Sequence, residues 1–429
     1  MYDLVPFIEC ASKFFPLFFF DMSLIDSLYN TDIWIGFYEN RAECGYINEN
    51  ETYDLHKFIR DKEFIPVLDK IKRGEAFSIP AKRYVNKIDS TKKRSVYTFS
   101  REENYVLKIL TFLLIRKYDY LFSKSLYSFR VNKSVGKAIN KIKNIRKIDR
   151  CFTYKIDVSN YFNSINVEKL LLMLKDIFVD DMDLYDFFFK MLTSPYSLED
   201  GNIIKENKGV MAGTPTASFL SNVYLSKLDA KFDDKEISYF RYSDDIMIFA
   251  KTIESIEKGK CLILNHLLEY NLTTNKSKEV ITLPGEKWSF LGFSYHQGNI
   301  DISDVSLEKM KSKMRRKSRA LVRWKEIKHK SSEAAISAFI KKFNKKLYET
   351  TDIHETNWSR WYFPIITTDK GLKEIDKYMQ QCIRFISTGK HTKSNYNFRY
   401  EDMKRLGYRC LVNEWYKYKT LKRKLFFHH

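Results

Sequence analysis

An acidic pair set inside an apolar run is the feature that most constrains this chain. In Phe240-Arg241-Tyr242-Ser243-Asp244-Asp245-Ile246-Met247-Ile248-Phe249, two adjacent carboxylates interrupt an otherwise apolar stretch. The stretch from Ile237 to Ala250 reads as two short strands with Ser243-Asp244-Asp245 at their turn. Neighbouring carboxylates at a tight turn between buried strands repel each other, and such an arrangement persists mainly where a cation neutralises them. An exposed Asp-Asp hairpin turn is the ordinary alternative, and on this segment alone the two readings weigh the same.

A second acid shifts that balance. Cys151 to Asp157 reads as a strand that ends on an acid, followed by Val158-Ser159-Asn160-Tyr161-Phe162. Phosphoryl transfer by two metal ions needs carboxylates from separate strands, so that the ions lie about 3.5–4 Å apart and clamp the attacking and leaving oxygens. One strand end and one hairpin turn can supply that set. Between them, Lys208-Gly209-Val210-Met211-Ala212-Gly213-Thr214-Pro215-Thr216-Ala217-Ser218 is a loop whose glycines permit close approach of backbone to a ligand, although any one Gly-x-x-x-Gly also suits an ordinary helix N-terminus.

Charge adds a partner class. Lys and Arg outnumber Asp and Glu by 74 to 54, a net charge of +20, which favours a polyanion, with nucleic acid ahead of a membrane surface. The excess is concentrated between Glu308 and Lys346, in a stretch of helical spacing that includes Arg315, Arg316, Arg319 and Arg323. A solvated helix face is the plain reading of such a stretch, and contact with a nucleic-acid backbone is the functional one. The six cysteines are scattered without zinc-ligand spacing and read as buried, reduced thiols. The apolar run Phe14 to Phe20 is far shorter than the ~20 residues of a membrane span and reads as a packing element. A cytoplasmic protein with no membrane partner is expected.

Elsewhere, Phe77 to Phe99 alternates β-branched and aromatic residues with Lys and Arg around Asp89-Ser90, which predicts a basic hairpin. Helical spacing predicts helices over 101–124, within 166–193, after Gly209, from about Ile253 to Tyr270 and across 304–350. A further hairpin is expected through Trp288 to Phe293. Residues 1–60 are aromatic and mixed, with no motif.

Taken in order, the segments around Asp157, Gly209 and Asp244 resemble motifs A, B and C of the reverse transcriptase palm. Further segments resemble the same family: Lys87, Lys92, Lys93 and Arg94 in its basic fingers hairpin, Tyr127-Ser128-Phe129-Arg130 in its "YGFR" segment, Leu272 to Lys278 in motif D, and Phe290-Leu291-Gly292-Phe293 in its primer-grip hairpin. The resemblance implies an α+β right-hand polymerase fold, with fingers, a palm of antiparallel sheet and packed helices, a helical thumb and a helical C-terminal extension. The matching boundaries are an N-terminal extension over 1–60, fingers over 61–150, palm over 151–300 with a fingers-like insertion near 194–208, thumb over 301–350 and a C-terminal domain over 351–429.

It also implies roles. Asp157, Asp244 and Asp245, with the carbonyl of Val158, would hold two Mg2+ ions, Mn2+ being the alternative. Lys278 would protonate departing pyrophosphate. Lys87, Arg94, Phe162, Ala212 and Gly213 would bind the nucleotide, with the Phe162 ring crowding a 2′-hydroxyl and favouring dNTPs. Arg130 would join Arg315, Arg316, Arg319 and Arg323 on nucleic acid.

One departure narrows the placement. Met211-Ala212-Gly213 stands where most of the family carries Pro-Gln-Gly. That change, with Arg360 to Pro364 and Tyr400 to Tyr416, is similar to the bacterial abortive-infection and defence-associated clade, related to retron and group II intron reverse transcriptases. This implies an RNA template, such as a dedicated structured non-coding RNA, a DNA product, dNTP substrates and a homo-oligomer. A catalytically silent RNA-binding scaffold and a template-independent or protein-primed DNA polymerase are the rival readings, and an RNA polymerase is a third that Phe162 argues against.

Overall fold

A computed structural model describes residues 22–43, 49–86, 93–233, 236–348 and 357–426. These divide into two compact units, one running to Pro284 and the other from Gly285. The Phe14–Phe20 run, Lys87, Lys92, Cys10 and Cys44 lie outside the described residues.

The first unit contains two four-stranded sheets. Strands β1 (Ala81–Asn86) and β2 (Lys93–Thr98) form the expected antiparallel hairpin, paired from Ala81↔Thr98 to Asn86↔Lys93. The other strands are β3 (Phe152–Asp157), β4 (Tyr196–Glu199), β5 (Asn202–Lys205), β6 (Ser238–Tyr242), β7 (Asp245–Ala250) and β8 (Val280–Thr282). One sheet has the order β2-β1-β4-β5 and the other β6-β7-β3-β8. The β4–β5 hairpin thus extends the β1–β2 sheet, with β4 running parallel to β1 at Ala81↔Leu198. Glu206 fixes this junction by accepting hydrogen bonds from Lys82 at 2.8 Å, from the Tyr97 hydroxyl at 3.2 Å and from Ser197.

Strand β7 is a continuous apolar run because it is covered on both faces. Ile246, Met247, Ile248, Phe249 and Ala250 are all buried, and helix Ile253–Glu269 packs on β3 and β7. Gly259 of that helix has no side chain where an added Cβ would lie 2.6 Å from Ile248 Cδ1, so the helix can approach the strand closely. Each such large apolar side chain contributes roughly 1.5–3 kcal/mol on burial. The predicted helix over 101–124 is observed as Arg101–Lys117, started by a capping box between Ser100 and Glu103. It stops early, and Asp119 begins a short 3-10 turn with its carboxylate turned to receive Arg130. The unassigned N-terminal stretch includes helices Leu24–Ser27, Thr31–Glu43 and Glu49–Arg60, which bury Trp34, Phe37 and Phe58.

The second unit begins with β9 (Trp288–Phe290), β10 (Phe293–His296) and β11 (Asn299–Ile302), in the order β11-β10-β9. The expected hairpin is there, turning through Leu291 and Gly292 at φ 51° and 87°, and a third strand joins it. Helix Asp304–Ile327 buries Leu307, Met310, Met314, Ser318, Leu321 and Val322, and packs on helices Ser332–Tyr348 and Lys370–Thr388. Buried Asp376 ties the C-terminal segment down by accepting from the Tyr408 hydroxyl at 2.8 Å and the Leu411 N–H at 2.9 Å. Cys151 and Cys382 are buried as expected, whereas Cys261 is exposed. Among the described residues no helix is long and apolar enough to cross a membrane.

Beneath the β6–β7 turn lies an ion pair with both side chains fully buried. Arg241 meets the Asp229 carboxylate at 2.7 Å through Nε and at 2.6 Å through Nη2. The same guanidinium donates to the carbonyls of Ser243 at 3.2 Å and Asn222 at 3.3 Å, while the Tyr239 hydroxyl donates to Asp229 at 2.7 Å. Removing one partner strands a buried charge, which costs more than the pair itself contributes. Arg241→Met is therefore expected to lose about 3–5 kcal/mol in urea denaturation, and Arg241→Met with Asp229→Leu to recover part of it. Equal stability in Arg241→Met and wild type would refute this account.

Candidate active site

The acids meet at one end of the β6-β7-β3-β8 sheet. Strands β3 and β7 are antiparallel and in register, with Asp157 opposite Asp245. Directly opposed residues share a face of the sheet, with Cβ atoms about 4.5–5.5 Å apart. Strands β6 and β7 pair from Ser238↔Phe249 to Tyr242↔Asp245, which leaves Ser243 and Asp244 as a two-residue turn. Ser243 takes φ 57°, a left-handed conformation uncommon for a residue with a side chain. Several bonds hold it there. Its N–H donates to Ser128 Oγ at 2.9 Å, Ser128 is joined to buried Asn222, and Arg241 holds its carbonyl from below. The N–H of Val158 donates to the Asp244 carbonyl at 3.2 Å, which links the end of β3 to the same turn.

The electrostatics follow from that geometry. Burial, joined by repulsion from Asp245 and Asp157, raises the Asp244 carboxyl to about 8, with Arg94 opposing the shift. Lys278 donates to Asp157 Oδ2 at 2.8 Å; burial works against its charge, yet the hydrogen bond and the neighbouring acids raise its pKa overall. The donor types suit a hard divalent cation: carboxylates from a strand end and from the adjoining turn, one of them destabilised as an anion. Among the described residues, no three His, Cys, Asp or Glu side chains converge as they would around an ion, and Asp157 is turned to Lys278.

Phe162 lies in the helical turn Tyr161–Ser164, directly after β3. Its ring is buried, edge-on to Phe129 at 6.4 Å and to Tyr161 at 5.7 Å. The Gly209 loop runs against this turn. The Val210 N–H donates to the Phe162 carbonyl at 2.9 Å, and the Ala212 carbonyl accepts from the Tyr97 N–H on β2 at 2.8 Å. Ala212 and Gly213 thus lie between the acid-bearing segment and the β1–β2 hairpin, and Arg94 is on that hairpin.

Arg130 is placed differently from expectation. It is buried, its Nε and Nη2 meet Asp119 at 2.7 and 2.9 Å, and its Nη1 donates to the carbonyls of Ser123 at 2.6 Å and Leu126 at 3.3 Å. The guanidinium is engaged in holding the fold. In the second unit, Arg315 donates to the Tyr378 hydroxyl at 2.9 Å, towards helix Lys370–Thr388. Arg316, Arg319 and Arg323 are exposed and share the helix face opposite the buried Met314 and Leu321. Arg241, Asp229 and Ser128 support the site, a role that their sequence segments alone do not assign; a lone Arg within an apolar strand is the signal that marks the first of them.

Residues 70–295 match the family described as "Reverse transcriptase (RNA-dependent DNA polymerase)". The putative COX1/OXI3 intron 2 protein of Saccharomyces cerevisiae is 24% identical over 307 residues, covering 57% of this chain and 34% of that protein. The chain thus spans about a third of the length of that curated relative. Among solved structures, apo telomerase from Candida tropicalis gives a TM-score of 0.45 at 12% identity, over 77% of this chain and 69% of that one. A form truncated from its C-terminal domain gives 0.44 at 14% identity, over 53% and 55%.

Burial and the neighbouring acids hold the folded Asp244 carboxyl well above the ordinary carboxylate range in which the unfolded chain releases its proton. The folded state then binds more protons, so this group's contribution to metal-free stability falls as pH rises across that window. A divalent cation must displace the same proton. The rise in Tm caused by Mg2+ is expected to be larger near about pH 8.5 than near about pH 6, and to shrink at both in Asp244→Asn. A shift independent of pH and of Asp244 would contradict this site.

Proposed function

Since the chain belongs to the reverse transcriptase family, we propose that it is an RNA-directed DNA polymerase that adds dNTPs at the Asp157, Asp244 and Asp245 centre. The observation that carries this reading is the register of β3 and β7, which puts Asp157 opposite Asp245 with Asp244 in the adjoining turn. The three carboxylates and the carbonyl of Val158 would hold two Mg2+ ions, with Mn2+ as a substitute. When bound there, such ions neutralise charge on the attacking and leaving oxygens.

The remaining roles belong to the chain itself. Phe162 bounds the sugar pocket and disfavours a 2′-hydroxyl, while Arg94 and Lys87 bind the triphosphate. The main-chain groups of Ala212 are engaged by Asn163 and Tyr97, so that residue and Gly213 shape the pocket as a wall. Lys278 carries a proton within reach of Asp157 and is suited to deliver it to departing pyrophosphate. Arg316, Arg319 and Arg323 provide a cationic face for template and product, with Arg315 at its border.

The absence of the motif B Gln and the C-terminal segments support a finer placement, in the bacterial defence-associated clade. There the enzyme would work in the cytoplasm as a homo-oligomer, on a structured non-coding RNA. Sequencing of the nucleic acid that copurifies with the protein tests that placement: a single discrete RNA with its DNA copy is expected, and unrelated cellular RNA would count against it.

Asp244→Ala with Asp245→Ala is expected to abolish dNTP incorporation while RNA binding stays within about threefold of wild type; incorporation by the double variant would defeat the assignment. Phe162→Ala is expected to raise rNTP incorporation relative to dNTP by at least about tenfold. Replacing Arg316, Arg319 and Arg323 by Gln is expected to weaken RNA binding and flatten its salt dependence by about one logarithmic unit per lost phosphate contact. An unchanged slope would remove this face from the interface.

A further inference from the structure

We propose that Asn163 is a positioning residue that sets discrimination between dNTPs and rNTPs by locking the Phe162 ring in place; this rests on the polymerase reading above. Three segments meet on its carboxamide. Its Oδ1 accepts the Ala212 N–H at 2.9 Å, and its Nδ2 donates to the Ser95 carbonyl of β2 at 3.2 Å. One side chain thus ties the turn that bears Phe162 to the Gly209 loop and to the β1–β2 hairpin.

The turn needs such ties. Tyr161–Ser164 is a four-residue helix entered from Asn160 at φ 46°, too short to be stable through its own hydrogen bonds. On one side Tyr161 is anchored by its hydroxyl, which donates to the Ser221 carbonyl at 2.5 Å; the side that faces the Gly209 loop and β2 is where Asn163 makes its two bonds. The backbone bonds from Val210 to Phe162 and from Tyr97 to Ala212 run parallel to the two made by Asn163, so the carboxamide closes a ring of four contacts.

Packing leaves little slack within that ring. A Cβ on Gly209 would lie 2.4 Å from the Phe162 carbonyl oxygen and 2.7 Å from the Asn163 carbonyl carbon. A Cβ on Gly213 would lie 3.1 Å from the Tyr97 carbonyl oxygen. With the loop held this tightly on both sides, the two Asn163 bonds complete the set that holds the Phe162 turn against the loop and the hairpin. Their loss lets the turn recede and admits a 2′-hydroxyl.

Asn163→Asp is the informative variant, since it keeps size and the acceptor for Ala212 but turns the donor facing Ser95 into a repelling oxygen. Asn163→Ala removes both bonds. The measurements are single-nucleotide incorporation with dNTP and rNTP series and thermal melting. Expected are a rise in dNTP KM of about tenfold, a kcat within about threefold of wild type and a preference for dNTP over rNTP reduced by about tenfold or more, in a protein that melts within a few degrees of wild type. A KM and a preference within about twofold of wild type in folded Asn163→Asp would overturn the proposal. So would a loss confined to kcat. If Asn163→Ala does not fold, Asn163→Asp carries the test. The wild-type arm reports separately on the polymerase reading: no incorporation by wild type on any template would defeat that reading and this inference with it.

Discussion

The Arg241–Asp229 pair is the interaction on which the geometry of the acidic centre depends. Both side chains are fully buried, so neither charge can be left alone, and the pair persists only with all its partners in place. Those partners are the elements that build the site: Ser243 of the turn, Asn222 of a wholly buried helix, and Tyr239 at the start of the same strand. Asp244 is held in its unfavourable environment because the chain on either side of it is pinned. A pair of this kind is weak evidence for stability in general, and its value here is that it fixes one arrangement of the turn.

The acids were legible in the sequence because charge within an apolar run is costly and needs a reason. Strand pairing was legible too, since β6 is rich in aromatic residues and β7 is apolar after Asp245, with the acid pair between them, and the basic hairpin alternated as a strand pair should. Other features were not. Arg130 belongs to a motif that invites a functional reading, and only the position of Asp119, eleven residues away and at the end of a helix, decides that it serves the fold. The helix ending at Lys117 lacked a Gly or Pro to mark its end, so periodicity carried the reading past it. Helix Thr31–Glu43 carries apolar residues without a clear stripe, and β11 is too short to register as a period.

The cations of the second unit show why charge density alone is a coarse guide. Lys311 sits on Glu308 and Glu374, and Arg315 reaches Tyr378, so part of the basic helix joins one helix to another. Arg316, Arg319 and Arg323 lie on the other side, and only the structure separates the two sets. A count of Lys and Arg along the sequence assigns them all to the same partner.

The two glycines of the loop have a consequence for how such an enzyme can change over generations. At Gly209 any side chain collides with main-chain atoms, which cannot be moved aside as the end of a flexible side chain can. That position is closed to mutational drift. Gly213 sits at φ 104°, and a Cβ there would lie 3.1 Å from the Tyr97 carbonyl oxygen, so a substitution is strained there too. Variation in this loop, whether natural or engineered, is thereby confined to side chains around a backbone path that its two glycines keep fixed.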